Sequence, residues 1–204
     1  MALELAEFNT IITFLGMTCA MVQGMTGNYT AFRKKKLGLL KANDIYNRSH
    51  RAFGTAGLTF YYTGLIAGLS GFIFGILEGT PPVELDSPSY IIHTFPSFAV
   101  MIIMLLKTYC SYFNKKKLYL NKWIGPASFF AWAYTWITAA ISYYLRTVPP
   151  NQQHSPPSIL LPFELMWLMI ALPFIIGGII GVLVIRKAES IEKEKAAKKL
   201  GKYS

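Results

Sequence analysis

Three side chains able to do chemistry stand in apolar company in this chain. The stretch "IIHTFPSFAVMIIMLLKTY", Ile91 to Tyr109, holds His93 and Lys107 fourteen positions apart, and "SHRAFGTAGLTFYYTGLIAGLSGFIFG" carries His50 at its start. Fourteen helical steps leave His93 and Lys107 about 40° apart around a helix and about 21 Å apart along it. They share one face at two depths. An imidazole can bind a metal or carry a proton, and a lysine that has lost its proton can do the same. A charged amine in hydrocarbon is costly unless its long stem snorkels to the headgroups or it faces the protein interior. Both routes are open to Lys107, which lies about 10 Å short of the basic cluster that follows it.

The elements that must position these residues are membrane helices. Of the 204 residues 53% are hydrophobic and only 15% are charged, and the mean hydropathy is positive, which excludes an ordinary soluble domain with a polar surface. Apolar runs long enough to cross a bilayer of about 30 Å fall near Phe8 to Thr30, Ala52 to Leu77, Tyr90 to Phe113, Ile124 to Tyr144 and Leu160 to Ile185. The first run has no Lys or Arg before it and "RKKK" (Arg33 to Lys36) directly after it, the reverse of a secretory signal. It reads as a retained helix. Seven Lys or Arg lie from Arg33 to Arg51, four from Lys115 to Lys122 and seven after Ile185, whereas the alternate loops hold only Arg146. Positive loops stay on the cytoplasmic side. The expected fold is therefore an all-α bundle of five transmembrane helices in residues 1–186, N-terminus outside and C-terminus inside, followed by a basic tail in 187–204. The net charge of +10 is then a topology signal and calls for no nucleic acid. The tail suits a solvated helix near anionic lipid.

The second span adds a pattern of its own. Gly54, Gly57, Gly64, Gly68, Gly71 and Gly75 form one stripe, and His50 begins it. Close contact with another helix through small residues explains such a stripe. So does a flat macrocycle lying in the groove and held by His50. Pro96 in the third span and Pro173 in the fifth free backbone carbonyls and should kink those helices. Trp132, Tyr134 and Trp136 lie deep enough to pack in a core or on a porphyrin. Tyr90, Tyr143, Tyr144 and Trp167 suit an outer aromatic belt, and Tyr109, Tyr112, Tyr119 and Trp123 an inner one. Cys19 and Cys110 lie at depths too different for a disulfide. His154 sits in a loop rich in Pro and Ser. No Walker loop, GxGxxG, HExxH or GxSxG motif occurs, so soluble catalysis has no support.

"HRAFG" at the start of the second helix, then a histidine and a lysine fourteen apart in the third, then "WIGPASFFAWAYTWITAAISYY" in the fourth, resembles small prokaryotic membrane cytochromes related to cytochrome b561. The likeness covers roughly His50 to Tyr144. It implies an electron-transfer subunit, more than an enzyme by itself, carrying one or two b-type haems between helices two and three. By that resemblance His93 and Lys107 mark an outer and an inner haem level, with His50 the other ligand at the inner level and Gly54, Gly57 and Gly64 in the cofactor groove. A quinone and a redox protein or other membrane subunits would be its partners in the plasma membrane. The chain departs from the pattern of four membrane histidines: near Ala67, where relatives place a second one on helix two, there is none. The expected answer at the inner level is Lys107 as a neutral amine. At the outer level it is a methionine thioether, Met166 or Met169. The competing expectation is a haem-free structural subunit of a larger membrane complex, and a third is a small transporter with Lys107 as its proton site.

Overall fold

A computed structural model describes residues 5–32, 45–79, 88–114, 123–147 and 161–200. The described chain is all-helical: α1 (Leu5–Phe32), α2 (Ile45–Leu77), α3 (Pro88–Tyr112), α4 (Ile124–Thr147), a 3-10 turn (Phe163–Leu165) and α5 (Met166–Leu200). Four of these, α1, α2, α3 and α5, are long and apolar enough to cross a membrane. The basic loops around Arg33 and Lys115, the loop with His154, and Tyr119 lie outside the described residues. Cys19 and Cys110 are free and buried.

α4 is the least lipid-like of the long helices, and its packing explains why. Ala131, Trp132, Thr135, Trp136, Ala140, Ser142, Tyr143 and Tyr144 are all buried, so its polar and aromatic groups meet protein. The hydroxyls along the bundle close on their own helix. Thr13 donates to the carbonyl of Asn9 at 2.8 Å, Thr26 to that of Val22 at 2.9 Å and Thr135 to that of Ala131 at 2.9 Å. This back-bonding satisfies a hydroxyl where water cannot.

The arrangement is centred on α1. It packs closely against α2, α4 and α5, while α3 packs on α4 and meets α2 through only a few side chains. Those crossings are the Tyr62 hydroxyl to Thr108 Oγ1 at 2.7 Å, Thr55 to Tyr112 at 3.4 Å and the edge-to-face rings of Phe72 and Phe98. The core gathers Met17, Leu58, Tyr61, Met104, Trp132, Trp136, Tyr144 and Ile170. Two aromatic residues expected in the outer belt, Tyr143 and Tyr144, are instead buried, and the Tyr144 hydroxyl donates to the carbonyl of Leu161 at 2.8 Å. A reachable backbone acceptor draws that phenol inward. Trp167, Tyr109, Tyr112 and Trp123 are exposed, as belt residues are.

α3 and α5 run unbroken through Pro96 and Pro173. A proline deprives the carbonyl four residues earlier of its donor, and at Pro96 α4 makes up the loss. Tyr134 donates its hydroxyl to the carbonyl of Ile92, four before Pro96. The indole of Trp136 donates at 2.9 Å to the carbonyl of Ile170, in the turn that Pro173 loosens.

Candidate functional site

The glycine stripe of α2 faces α1. The two helices run antiparallel, so Gly27 of α1 lies by His50, Gln23 by Gly54, Cys19 by Gly57 and Asn9 by Gly64. A Cβ on Gly54 would strike the carboxamide of Gln23; one on Gly64 would lie 2.9 Å from Asn9 Oδ1; one on Gly57 would make ordinary contact with Cys19 Cβ at 3.6 Å. Close helix contact is therefore what the stripe does from Gly54 to Gly68. Gly54, Gly57 and Gly64, expected to line a cofactor groove, have that groove filled by α1. The physical reason is that Gln23 and Asn9 fit the notches and bring their polar groups with them.

His50 and Lys107 meet at one end of the bundle through α1. His50 Nδ1 lies 3.1 Å from Thr26 Oγ1. Lys107 is 9% exposed, and its Nζ donates to Gln23 Oε1 at 3.0 Å. Lys107 also lies within electrostatic reach of the His50 ring. Of the two routes open to Lys107, the interior is the one taken. Its partner is a neutral carboxamide. Two nitrogen bases from helices that barely pack on each other thus converge on one turn of α1, Gln23 to Thr26.

His93 stands toward the other end, on α3, with Nδ1 3.0 Å from Thr138 Oγ1 of α4. Ser97 donates to the His93 carbonyl, which ties the turn ahead of Pro96. Met166 and Met169, expected beside it, are on α5, which does not pack closely on α3. Both belong to the core, Met169 buried and Met166 packed against it. α4 packs on both α3 and α5, and the His93 ring partners Thr138 of α4.

Gln23, Thr26 and Thr138 are site residues that the reading by sequence passed over. The signal for the first was present: Asn9 and Gln23 are the two carboxamides facing the glycine stripe, and they are fourteen residues apart, the spacing that singled out His93 and Lys107. Threonine in a membrane helix gives no such signal, since most of its hydroxyls only back-bond. Among the described residues no group of three or more His, Cys, Asp and Glu forms a metal site. Comparison with protein-family models, with curated proteins and with solved structures finds no match to this chain.

Proposed function

We propose that this protein is a multi-pass plasma-membrane electron-transfer subunit that holds one b-type haem at the His50 and Lys107 end, its N-terminus outside, its C-terminus inside and α4 as a fifth span. The observation that carries this reading is the convergence, on one turn of α1, of an imidazole and a buried amine that donates to a neutral carboxamide. The donor set suits the group: a neutral imidazole and a neutral amine each offer one lone pair, and α1 takes hydrogen bonds from the other side of each. His50 and Lys107 would be the residues that hold it. When bound, haem would supply a reversible one-electron Fe(III)/Fe(II) couple, whose chemistry is the cofactor's own. The chain's part is to present the two nitrogens, to exclude water with Met104, Tyr61 and Trp132, and to give the buried amine a neutral carboxamide as its acceptor. A quinone in the bilayer and a redox protein or a further membrane subunit are the partners this reading assigns.

The reduced-minus-oxidised visible spectrum of the purified protein tests it. A sharp α-band is expected, abolished in His50→Ala and lost or shifted in both Lys107→Met and Lys107→Arg. An unchanged band in Lys107→Met removes the lysine from the site. A protein without any haem band favours the second reading, a haem-free structural subunit. The filled glycine face of α2 supports that alternative, because it leaves α1 and α2 in direct contact along the stripe.

A further inference from the structure

Thr26 and Thr138 occupy equivalent places, each beside the Nδ1 of a membrane histidine, and the direction of their own hydroxyl protons decides what that placement does. Thr26 Oγ1 donates to the carbonyl of Val22 at 2.9 Å and approaches that of Gln23 at 3.1 Å. Thr138 Oγ1 donates to the carbonyl of Tyr134 at 2.8 Å. A hydroxyl has one proton, and here it is committed to the helix backbone. Each oxygen therefore faces its histidine as an acceptor. The nitrogen opposite must bring the proton, so the ring is protonated at Nδ1, and a neutral imidazole so protonated carries its lone pair at Nε2.

We infer that Thr26 and Thr138 are positioning residues that fix the tautomer of His50 and His93, so that both rings present an unprotonated Nε2 inside the bundle. Gln23 plays the matching part for Lys107. Its Oε1 accepts one N–H of the amine, which orients the stem without adding a countercharge. Its carboxamide can lie there only because Gly54 has no side chain in the way. "HRAFG" is then one docking turn: His50 rests on Thr26 and Gly27, and Gly54 seats the residue that holds Lys107. Two helices of the candidate site are aligned by a third that supplies no ligand. This deepens the haem reading and rests on it for the identity of the ligand at Nε2, whereas the tautomers themselves are properties of the chain.

The test is the nitrogen-15 spectrum of the histidine-labelled protein in lipid bilayers, reduced so that any iron is in its low-spin ferrous state. The three histidines are told apart with His50→Gln, His93→Gln and His154→Gln. Wild-type rings at positions 50 and 93 should both show a protonated Nδ1. Thr26→Val should move His50 toward the Nε2-protonated or a mixed form and leave His93 unchanged, while Thr138→Val should do the converse. Thr26→Ser, which keeps the acceptor, should restore the wild-type signal, an outcome that a packing role for the methyl group does not produce. A wild-type His50 protonated at Nε2, or a Thr26→Val spectrum identical to wild type at His50, overturns the inference. The visible spectrum reads the haem separately: rings protonated at Nδ1 in a protein without a haem band uphold the tautomer assignment and overturn only the electron-transfer reading.

Discussion

At the scale of single residues, missing atoms matter as much as present ones. Gly54 and Gly64 are notches for Gln23 and Asn9, whereas Gly57 and Gly68 have room to spare, the nearest atom to a Cβ on Gly68 being Asn9 Nδ2 at 3.8 Å. Gly54→Ala should therefore displace the Gln23 carboxamide and cost about 1 to 3 kcal/mol by overpacking, while Gly57→Ala and Gly68→Ala stay near wild type. Thermal unfolding midpoints in detergent would compare the three variants, and equal tolerance at all of them would place the stripe against lipid. Asn9 Oδ1 is the one buried side-chain oxygen or nitrogen without a hydrogen-bond partner among the described residues. It lies over the Gly64 backbone, where a Cα–H group can offer a weak hydrogen bond.

At the scale of elements, α4 acts as a clamp on two proline-bearing helices. Its Tyr134 and Trp136, two residues apart, reach carbonyls on α3 and α5: that of Ile92, which Pro96 leaves without a donor, and that of Ile170, one turn before Pro173. Leaving a carbonyl unsatisfied away from water costs about 1 to 3 kcal/mol. Tyr134→Phe keeps the ring's apolar bulk and removes the donor to Ile92, so it should lower the unfolding midpoint. Pro96→Ala should relieve much of that loss, because it returns the N–H that the Ile92 carbonyl lacks. A double-mutant cycle reads the coupling, and strict additivity of the two changes would remove the link. α5 repeats the close-contact device of α2: a Cβ on Gly177 would lie 2.6 Å from the Thr18 carbonyl, and one on Gly181 2.7 Å from Met25 Sδ. α5 also continues past Ile185 without a break to Leu200. At 1.5 Å per residue its 35 residues span about 52 Å, well beyond a hydrocarbon core of about 30 Å. Glu189, in that extension, accepts a hydrogen bond from Tyr29, and Tyr29 stacks on Tyr46 with ring centroids 5.3 Å apart. The base of the extension is thereby fastened to α1 and α2.

At the scale of the whole molecule, the bundle is organised around its first helix. α2, α4 and α5 all pack on α1, and α3 is held mainly by α4. Removal of α1 should thus disperse the bundle, whereas loosening α3 should be felt mostly at His93 and Lys107. The proposed orientation makes a separate prediction. Accessible tags at position 204 and within 33–51 should report the cytoplasmic side, and a tag at Asn151 the external side. Finding Asn151 and Ser204 on one side would falsify a five-span topology.

Hydropathy alone was enough to mark out the membrane helices, since the cost of burying a charge or an unpaired backbone group in lipid is local and additive along the chain. α4 was legible as an apolar run too, but its mixture of aromatic, hydroxyl and small side chains suits a helix packed in protein, which need not be uniformly apolar. The stripe from Gly54 to Gly68 was legible as a face, and so was the helical alignment of His93 with Lys107. Which surface fills the stripe was not. Nothing in α2 distinguishes a macrocycle from Gln23 and Asn9 of another helix, because a notch specifies a shape and leaves its occupant open. Met166 and His93 lie at comparable depths in their helices, but depth is a one-dimensional quantity. Only the lateral order of helices, set by how ridges and notches of α1 fit three neighbours at once, decided that those two stay apart and that His50 and Lys107 come together.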